Sequence, residues 1–353
     1  MQVLKSKINR LTHWIHHYLI WLVIGSYILA IIFPSLGLTL RKVEFANIQL
    51  FSTMPALIVS LPLLMLAVLL FNAGMAVNIN ELRNTWKQPK LLMSSLFLNS
   101  LTPLVFIVLI SVFMLPWHNP KEIQQLLVGL AFIAAMPIAG ASTAWTQNTN
   151  GNLALSLSLV LITTLLSPLF TPLVFHSVGV ITTGSYSENL HDIASGKIVL
   201  FLGTWVIFPT LLGIFVGHLL QQKTVENIKS DLKFCNYVVL LLLNYINAAT
   251  VLPNIVANPD IDFLVLILGI TISFGVVMFS TGYYLAHYFK ASRHNTLSLM
   301  FCFGMSNNGI ALTLASIVLA DHPDIMIPII FYNLIQHLMA SFVDRFNRSL
   351  TYI

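Results

Sequence analysis

Charge is what this sequence has least of. Asp, Glu, Lys and Arg make up 8% of its 353 residues, against about 25% in an average soluble domain. The 17 basic and 12 acidic residues fall in loops or at the ends of apolar runs, and none sits at the centre of one. That absence removes the usual intramembrane ligands of coupling ions and the usual proton carriers of pumps. It also removes intramembrane enzymes built on paired Asp, an HExxH motif or an Asp-rich diphosphate site. Cysteine is scarce too. Cys235 and Cys302 lie far apart, in or beside apolar stretches, and offer neither a disulfide framework nor a metal-ligand spacing, so they leave the redox compartment undetermined.

What is abundant is apolar: 57% of the chain is hydrophobic. Apolar runs lie near 18–34, 52–72, 91–115, 124–148, 152–177, 198–221, 235–257, 262–288, 297–319 and 325–343. A spanning helix needs about 20 mostly apolar residues, so these ten leave no room for a separate soluble domain. The opening segment, basic at Lys5, Lys7 and Arg10, resembles a signal peptide but lacks a small-residue cleavage site, and reads as an uncleaved first helix. With the N-terminus cytoplasmic, only Arg41, Lys42, Lys121 and Lys197 of the basic residues fall on the opposite side. An error in the span count would scramble that bias, so the positive-inside rule predicts ten helices with both termini cytoplasmic. The formal charge of +5 is then explained by loops facing the cytoplasm, without a nucleic-acid partner. The expectation is an all-α polytopic protein of the lipid bilayer. Size and short loops point to a bacterial inner membrane, and to a monomer or weak oligomer.

Five helices followed by five more give two halves of odd count, which must enter the membrane in opposite orientations. This predicts an inverted repeat, with residues 1–177 as the first five-helix half and 198–353 as the second. Such repeats place the substrate near the midplane, at a discontinuous helix in each half. In the fourth span, Leu126 to Met136 runs into Pro137-Ile138-Ala139-Gly140-Ala141-Ser142-Thr143. Proline removes a donor and glycine tolerates unwinding, and Ser142 or Thr143 suits the N-cap of a second half-helix. In the ninth span, Phe301 to Met305 meets Ser306-Asn307-Asn308-Gly309 before the run resumes. Either segment alone reads equally well as polar glue between packed helices, with Pro137 an ordinary kink. Matching positions in both halves favour two broken helices, whose N-terminal ends favour an anion and whose carbonyl ends favour a cation.

At these residues the chain resembles the bile acid:sodium symporter family. The matching stretches are Asn72-Ala73-Gly74-Met75, Lys87-Gln88-Pro89-Lys90, Pro137 through Ser156, Leu165 through Pro172, and Gly304 through Gly309. The resemblance implies a core of spans 3, 4, 5, 8, 9 and 10 beside a panel of spans 1, 2, 6 and 7. It also implies that helices 4 and 9 cross at their unwound centres, where sodium and an organic anion bind. Sodium-site positions then fall on Asn99, Ser142, Thr143, Ser156, Val160, Cys302, Phe303, Met305 and Ser306. Substrate contacts fall on Gly140, Asn307 and Asn308, with Asn333, Gln336 and His337 along one face of the last helix.

The sequence departs from that family at several of these positions. Thr143 stands where the family usually has Asn, Val160 where it often has Thr, Cys302 where it has a shared Glu, Ser306 where it has Gln, and Asn99 where it has another Gln. Hard cations want oxygen ligands and negative charge, and a neutral thiol supplies neither. The expectation is a degenerate sodium site. Moving a monoanion inward against 100 mV costs about 2.3 kcal/mol, so three options stay open: weakened sodium coupling, proton coupling, or uncoupled export. For proton coupling the candidate is His337, which can titrate near neutral pH; the competing and commoner role is a neutral histidine bonded to a neighbouring helix. Asn244 and Asn247 in the seventh span face the same choice between lining a cavity and packing.

These readings predict a secondary transporter of a small organic anion, of the bile acid, steroid sulphate or small carboxylate class, with sodium or protons as coupling ions and no other cofactor. An enzyme is not expected, because Ser142 lacks the second glycine of the Gly-x-Ser-Gly pattern and an acidic partner. A channel would usually carry rings of charge or carbonyl filters in an oligomer. A membrane sensor that binds without transporting stays the alternative of another class.

Overall fold

The computed structural model describes residues 10–12, 14–15, 18–48, 57–77, 88–220, 222–319 and 321–349. In chain order its helices are α1 (Leu19–Ile32), α2 (Pro34–Arg41), α3 (Leu61–Met75), α4 (Pro89–Phe113), α5 (Pro120–Ala135), α6 (Ala141–Asn148), α7 (Leu153–Ile181), α8 (Ser185–Asp192), α9 (Ile198–Leu219), α10 (Gln222–Ala248), α11 (Leu252–Ala257), α12 (Ile261–Tyr288), α13 (Arg293–Gly304), α14 (Asn308–Val318) and α15 (Met326–Ser349). The only sheet among the described residues is an antiparallel hairpin of β1 (Glu44–Ile48) and β2 (Leu57–Ser60).

Helix starts follow local chemistry. Asn119, Asn152, Asp260, Ser292 and Asn307 each accept a hydrogen bond from a first-turn amide of the helix they precede, which satisfies a donor the helix cannot. Pro34, Pro89 and Pro120 open their helices where a missing N–H costs nothing.

Among the described residues, α4, α7, α9, α12 and the α15 segment are long and apolar enough to cross a membrane, and α1 with α2 are so only when taken together, as a pair bent by 95°. The fourth and ninth spans each consist of two shorter helices, α5 with α6 and α13 with α14. The outward faces of α4 and α12 are apolar: Phe97 is 63% exposed and Val265 63%, as lipid-facing surfaces are. The chain is an all-α polytopic membrane protein.

Several boundaries differ from the sequence reading, among them the end of the seventh run, at Ala248 rather than near residue 257, and that of the last, at Ser349 rather than near residue 343. The second span begins at Leu61 behind the hairpin rather than near residue 52. The seventh is longer at its start, because α10 begins at Gln222 and carries the polar stretch through Lys233 as helix. The basic residues Lys5, Lys7, Arg83 and Lys87, and the first residues expected in the second span, lie outside the described residues.

The chain forms two compact units, Met1–Val77 with Gly203–Pro259, and Asn78–Leu202 with Asp260–Ile353. In the first, α3 packs so closely on α9 that a Cβ at Gly213 would meet the carbonyl of Phe71, and one at Gly74 the carbonyl of Thr210. Small residues permit this backbone approach, as membrane helix pairs generally require. Asn244 and Asn247 are buried in this unit, and Asn72 Nδ2 donates to Asn236 Oδ1 at 2.8 Å. In the second unit, rings make much of the core: Phe106, Phe274 and Tyr332 stack edge to face in series, and Phe132 lies against Phe175.

Candidate functional site: two broken helices that cross

Both expected breaks are present, and they meet. The fourth span unwinds between Ala135 and Ala141, and the ninth between Gly304 and Asn308. The two unwound strands run antiparallel with Ile138 bridged to Ser306. The Ala139 amide donates to the Met305 carbonyl at 2.8 Å, and the Asn307 amide donates to the Pro137 carbonyl at 2.9 Å. An unwound segment inside a bilayer survives only if its backbone groups find partners, and here each break satisfies the other.

Side chains complete the accounting. Thr163 Oγ1 accepts from the Ile138 amide at 3.2 Å, and Thr171 Oγ1 donates to the Ala135 carbonyl at 2.7 Å. On the other strand, Tyr332 Oη donates to the Gly304 carbonyl at 3.0 Å, and Gln336 Oε1 accepts from the Ser306 amide at 3.1 Å. The sequence reading gave no role to Thr163, Thr171 or Tyr332. The available signal was an unexplained hydroxyl on the spans beside each break, α7 and α15, but nothing in one sequence says which hydroxyl comes opposite which amide. A hydrophobic cluster including Ala139, Phe279, Leu297, Phe301 and Met305 packs beside the crossing.

The expected N-cap of the second half-helix is corrected. Gly140 occupies it and offers no side chain, while Ser142 and Thr143 lie inside α6. Thr143 Oγ1 bonds back to the Gly140 carbonyl at 2.7 Å. Ser142, freed from capping, is fully buried and faces Cys302.

Of the candidate cation residues, Ser142, Ser156 and Cys302 come together. The Cys302 thiol lies 3.3 Å from Ser156 Oγ and 3.9 Å from Ser142 Oγ, and all three are 0% exposed. Met305 contributes a carbonyl to the crossing. Phe303 is buried beside Cys302 without a polar group to offer. Asn99 is half-buried on α4, with no described bond to the cluster. The Val160 carbonyl already accepts from the Thr163 and Thr164 hydroxyls.

The candidate substrate residues line the same crossing. Asn307 caps α14, its side chain accepting from Ile310 at 3.3 Å. Asn308 is 1% exposed, and neither end of its amide has a partner. Gln336 Nε2 reaches Asn333 Oδ1 at 3.4 Å. Trp145 Nε1 donates to His337 Nδ1 at 3.4 Å while its ring stacks on Phe301. A tryptophan N–H only donates, so this contact needs an unprotonated Nδ1. Gly140 is exposed, with no atom within 4 Å of where a Cβ would stand.

The profile of the sodium bile acid symporter family matches residues 63–258, more than half of the chain. The chain belongs to that family. Two Bacillus subtilis (strain 168) proteins are similar to it: "Uncharacterized protein YbaS", 23% identical over 61% of this chain, and "Uncharacterized sodium-dependent transporter YocS", 21% identical over 71% of this chain and 72% of the relative. The match spans 66% of YbaS, just under two thirds of its length. The family's description is that of membrane symporters.

The family name raises sodium, and the donor set can be weighed against it. The cluster offers two hydroxyls around a thiol, with no carboxylate among the described residues there. Sodium is a hard cation that needs several oxygens, and two such ions side by side need negative charge. Two hydroxyls and a thiol supply neither the several oxygens nor the negative charge that a pair of sodium ions needs.

Proposed function

We propose that this chain is a secondary transporter of a small organic anion, working by alternating access, with its substrate at the crossing and its sodium site degenerate. The observation that carries the reading is the reciprocal pair of backbone hydrogen bonds between the two breaks. It places two half-helix starts, α6 and α14, beside an exposed Gly140 and the unpartnered amide of Asn308. Helix N-termini favour an anion, and a buried amide lacking partners is costly until a ligand supplies them. The candidate contacts are Gly140, Asn307, Asn308, Asn333, Gln336 and His337. The substrate class is that of bile acids, steroid sulphates or small carboxylates.

The division into two compact units supports a panel of spans 1, 2, 6 and 7 and a core of spans 3, 4, 5, 8, 9 and 10 as the moving parts. The charge bias of the loops supports cytoplasmic termini and an inner-membrane location. The chain works as a monomer or weak oligomer and needs no cofactor beyond a coupling ion.

The contact between Trp145 and His337 is the bond of a neutral histidine to a neighbouring helix, and it also gives proton coupling a concrete place to act. It joins the second half of the broken fourth span to the last helix and breaks when Nδ1 takes a proton. A proton at His337 therefore has a direct effect on α6. Uncoupled export is the remaining mode for an anion that leaves with the membrane potential.

The test is flux of labelled organic anions into proteoliposomes, comparing the native chain with Gly140→Val. The valine enters open space, so the variant folds and loses flux. Native flux unchanged by Gly140→Val removes the substrate from the crossing. Saturable binding with no flux of any anion makes the chain a sensor.

A further inference from the structure

We propose that a cavity of about 460 Å3 between the first turn of α4 and the α12–α13 connection is a binding site for a phosphate-bearing anion. Its wall is formed by Gln88, Lys90, Phe289, Lys290, Ser292 and Asn295, all from one compact unit. It is separate from the crossing and shares no residue with it.

The polar wall consists largely of donors, and no carboxylate lines it. Neither Lys90 nor Lys290 makes an ion pair among the described residues, whereas nearby Arg293 is held by Asn347 at 2.7 Å. The amides of Lys90 and Leu91 precede the first bond of α4, Leu92 N–H to the Gln88 carbonyl, and the Gln88 side chain does not cap them. Asn295 is 7% exposed and accepts from Asn152 Nδ2 at 2.8 Å. Its Nδ2 therefore turns to the cavity wall, where its one described contact is a 3.4 Å bond to Gln88 Oε1. One of its two amide protons is left for a ligand. Two lysines, the uncapped first-turn amides of α4 and the Asn295 amide on one wall make a donor set that suits a phosphate-bearing anion.

Lys290 carries a second mark of this use. Its amide bonds to the His287 carbonyl, and that of Ala291 to the Ala286 carbonyl, which is the bonding of a helix C-terminus closed by a left-handed residue. Lys290 has φ 50°, where glycine would sit without strain. The lysine keeps its charge at the cavity against that strain. Tyr284 and Tyr288, on the last turns of α12, are 67% and 80% exposed. Exposed tyrosines at a helix end mark the headgroup level of a bilayer, where lipid phosphates and soluble phosphates both reach.

The test is thermal unfolding of the purified full chain in neutral detergent, with added phosphatidylglycerol against phosphatidylcholine, and with inorganic phosphate against chloride at equal ionic strength. The comparison chain carries Lys90→Gln with Lys290→Gly. The glycine relieves the backbone, so without ligand the variant unfolds at the native temperature or above. We expect phosphatidylglycerol or phosphate to raise the native midpoint, and the variant to need about tenfold more ligand for the same rise. A rise with phosphatidylglycerol alone assigns a lipid headgroup, and a rise with inorganic phosphate assigns a free anion. No selective rise, or an equal rise in the variant, overturns the site.

Discussion

Thr163→Val tests whether the crossing is held together as described. The hydroxyl of Thr163 donates to the Leu159 carbonyl at 2.8 Å and accepts from the Ile138 amide at 3.2 Å. Valine has nearly the same shape, so it opens no cavity, and the Leu159 carbonyl keeps its place in the helix. What it removes is the acceptor for an amide on a residue only 3% exposed. Leaving a buried donor unpaired costs about 1–3 kcal/mol, a factor of about 5 to 150 in the equilibrium for opening the break. Hydrogen exchange of the 136–141 segment in detergent should quicken by that factor, with a lower unfolding temperature, and Thr163→Ser should restore both. Native-like exchange in Thr163→Val would show that the Ile138 amide finds its partner elsewhere.

The cation cluster and the first unit give two more tests. Cys302→Glu places a carboxylate among Ser142 and Ser156 and should make thermal stability depend on sodium, by about 2.7 kcal/mol when sodium exceeds its Kd a hundredfold; the native chain should show no such dependence, and a sodium-stabilised native chain would contradict the degenerate site. Gly213→Ala should destabilise by about 1–3 kcal/mol through overpacking against the Phe71 carbonyl, read as a lower unfolding temperature. An unchanged temperature would mean that α3 and α9 separate at no cost.

Much of this architecture was legible in the sequence, for physical reasons. Apolar runs of spanning length are one-dimensional signals, and the breaks announce themselves through Pro137, Gly140 and the Ser306-Asn307-Asn308 run. Helix boundaries were less legible where polar sequence stays helical, as in α10 before Lys233, or where a short hairpin precedes a span, as before Leu61. The capping of α6 was misjudged because Ser and Thr near a helix start compete for the role, and here the chain used the Gly140 backbone and turned Ser142 toward Cys302. Thr163, Thr171 and Tyr332 were invisible because their roles depend on which span lies opposite each break. A single sequence carries no record of that pairing. The Trp145 bond to His337 was hidden for the same reason, across 192 positions.

The central claim is the proposal that the crossing of the two broken helices carries an organic anion without sodium as the driver. It is tested most directly by organic-anion flux in proteoliposomes under an imposed sodium gradient, an imposed proton gradient, or neither, for the native chain and His337→Ala. The account predicts flux indifferent to sodium that follows the proton gradient and falls to the ungraded level in His337→Ala. Sodium-driven accumulation of the anion by the native chain would contradict it and would mean that Cys302, Ser142 and Ser156 still frame a working cation site.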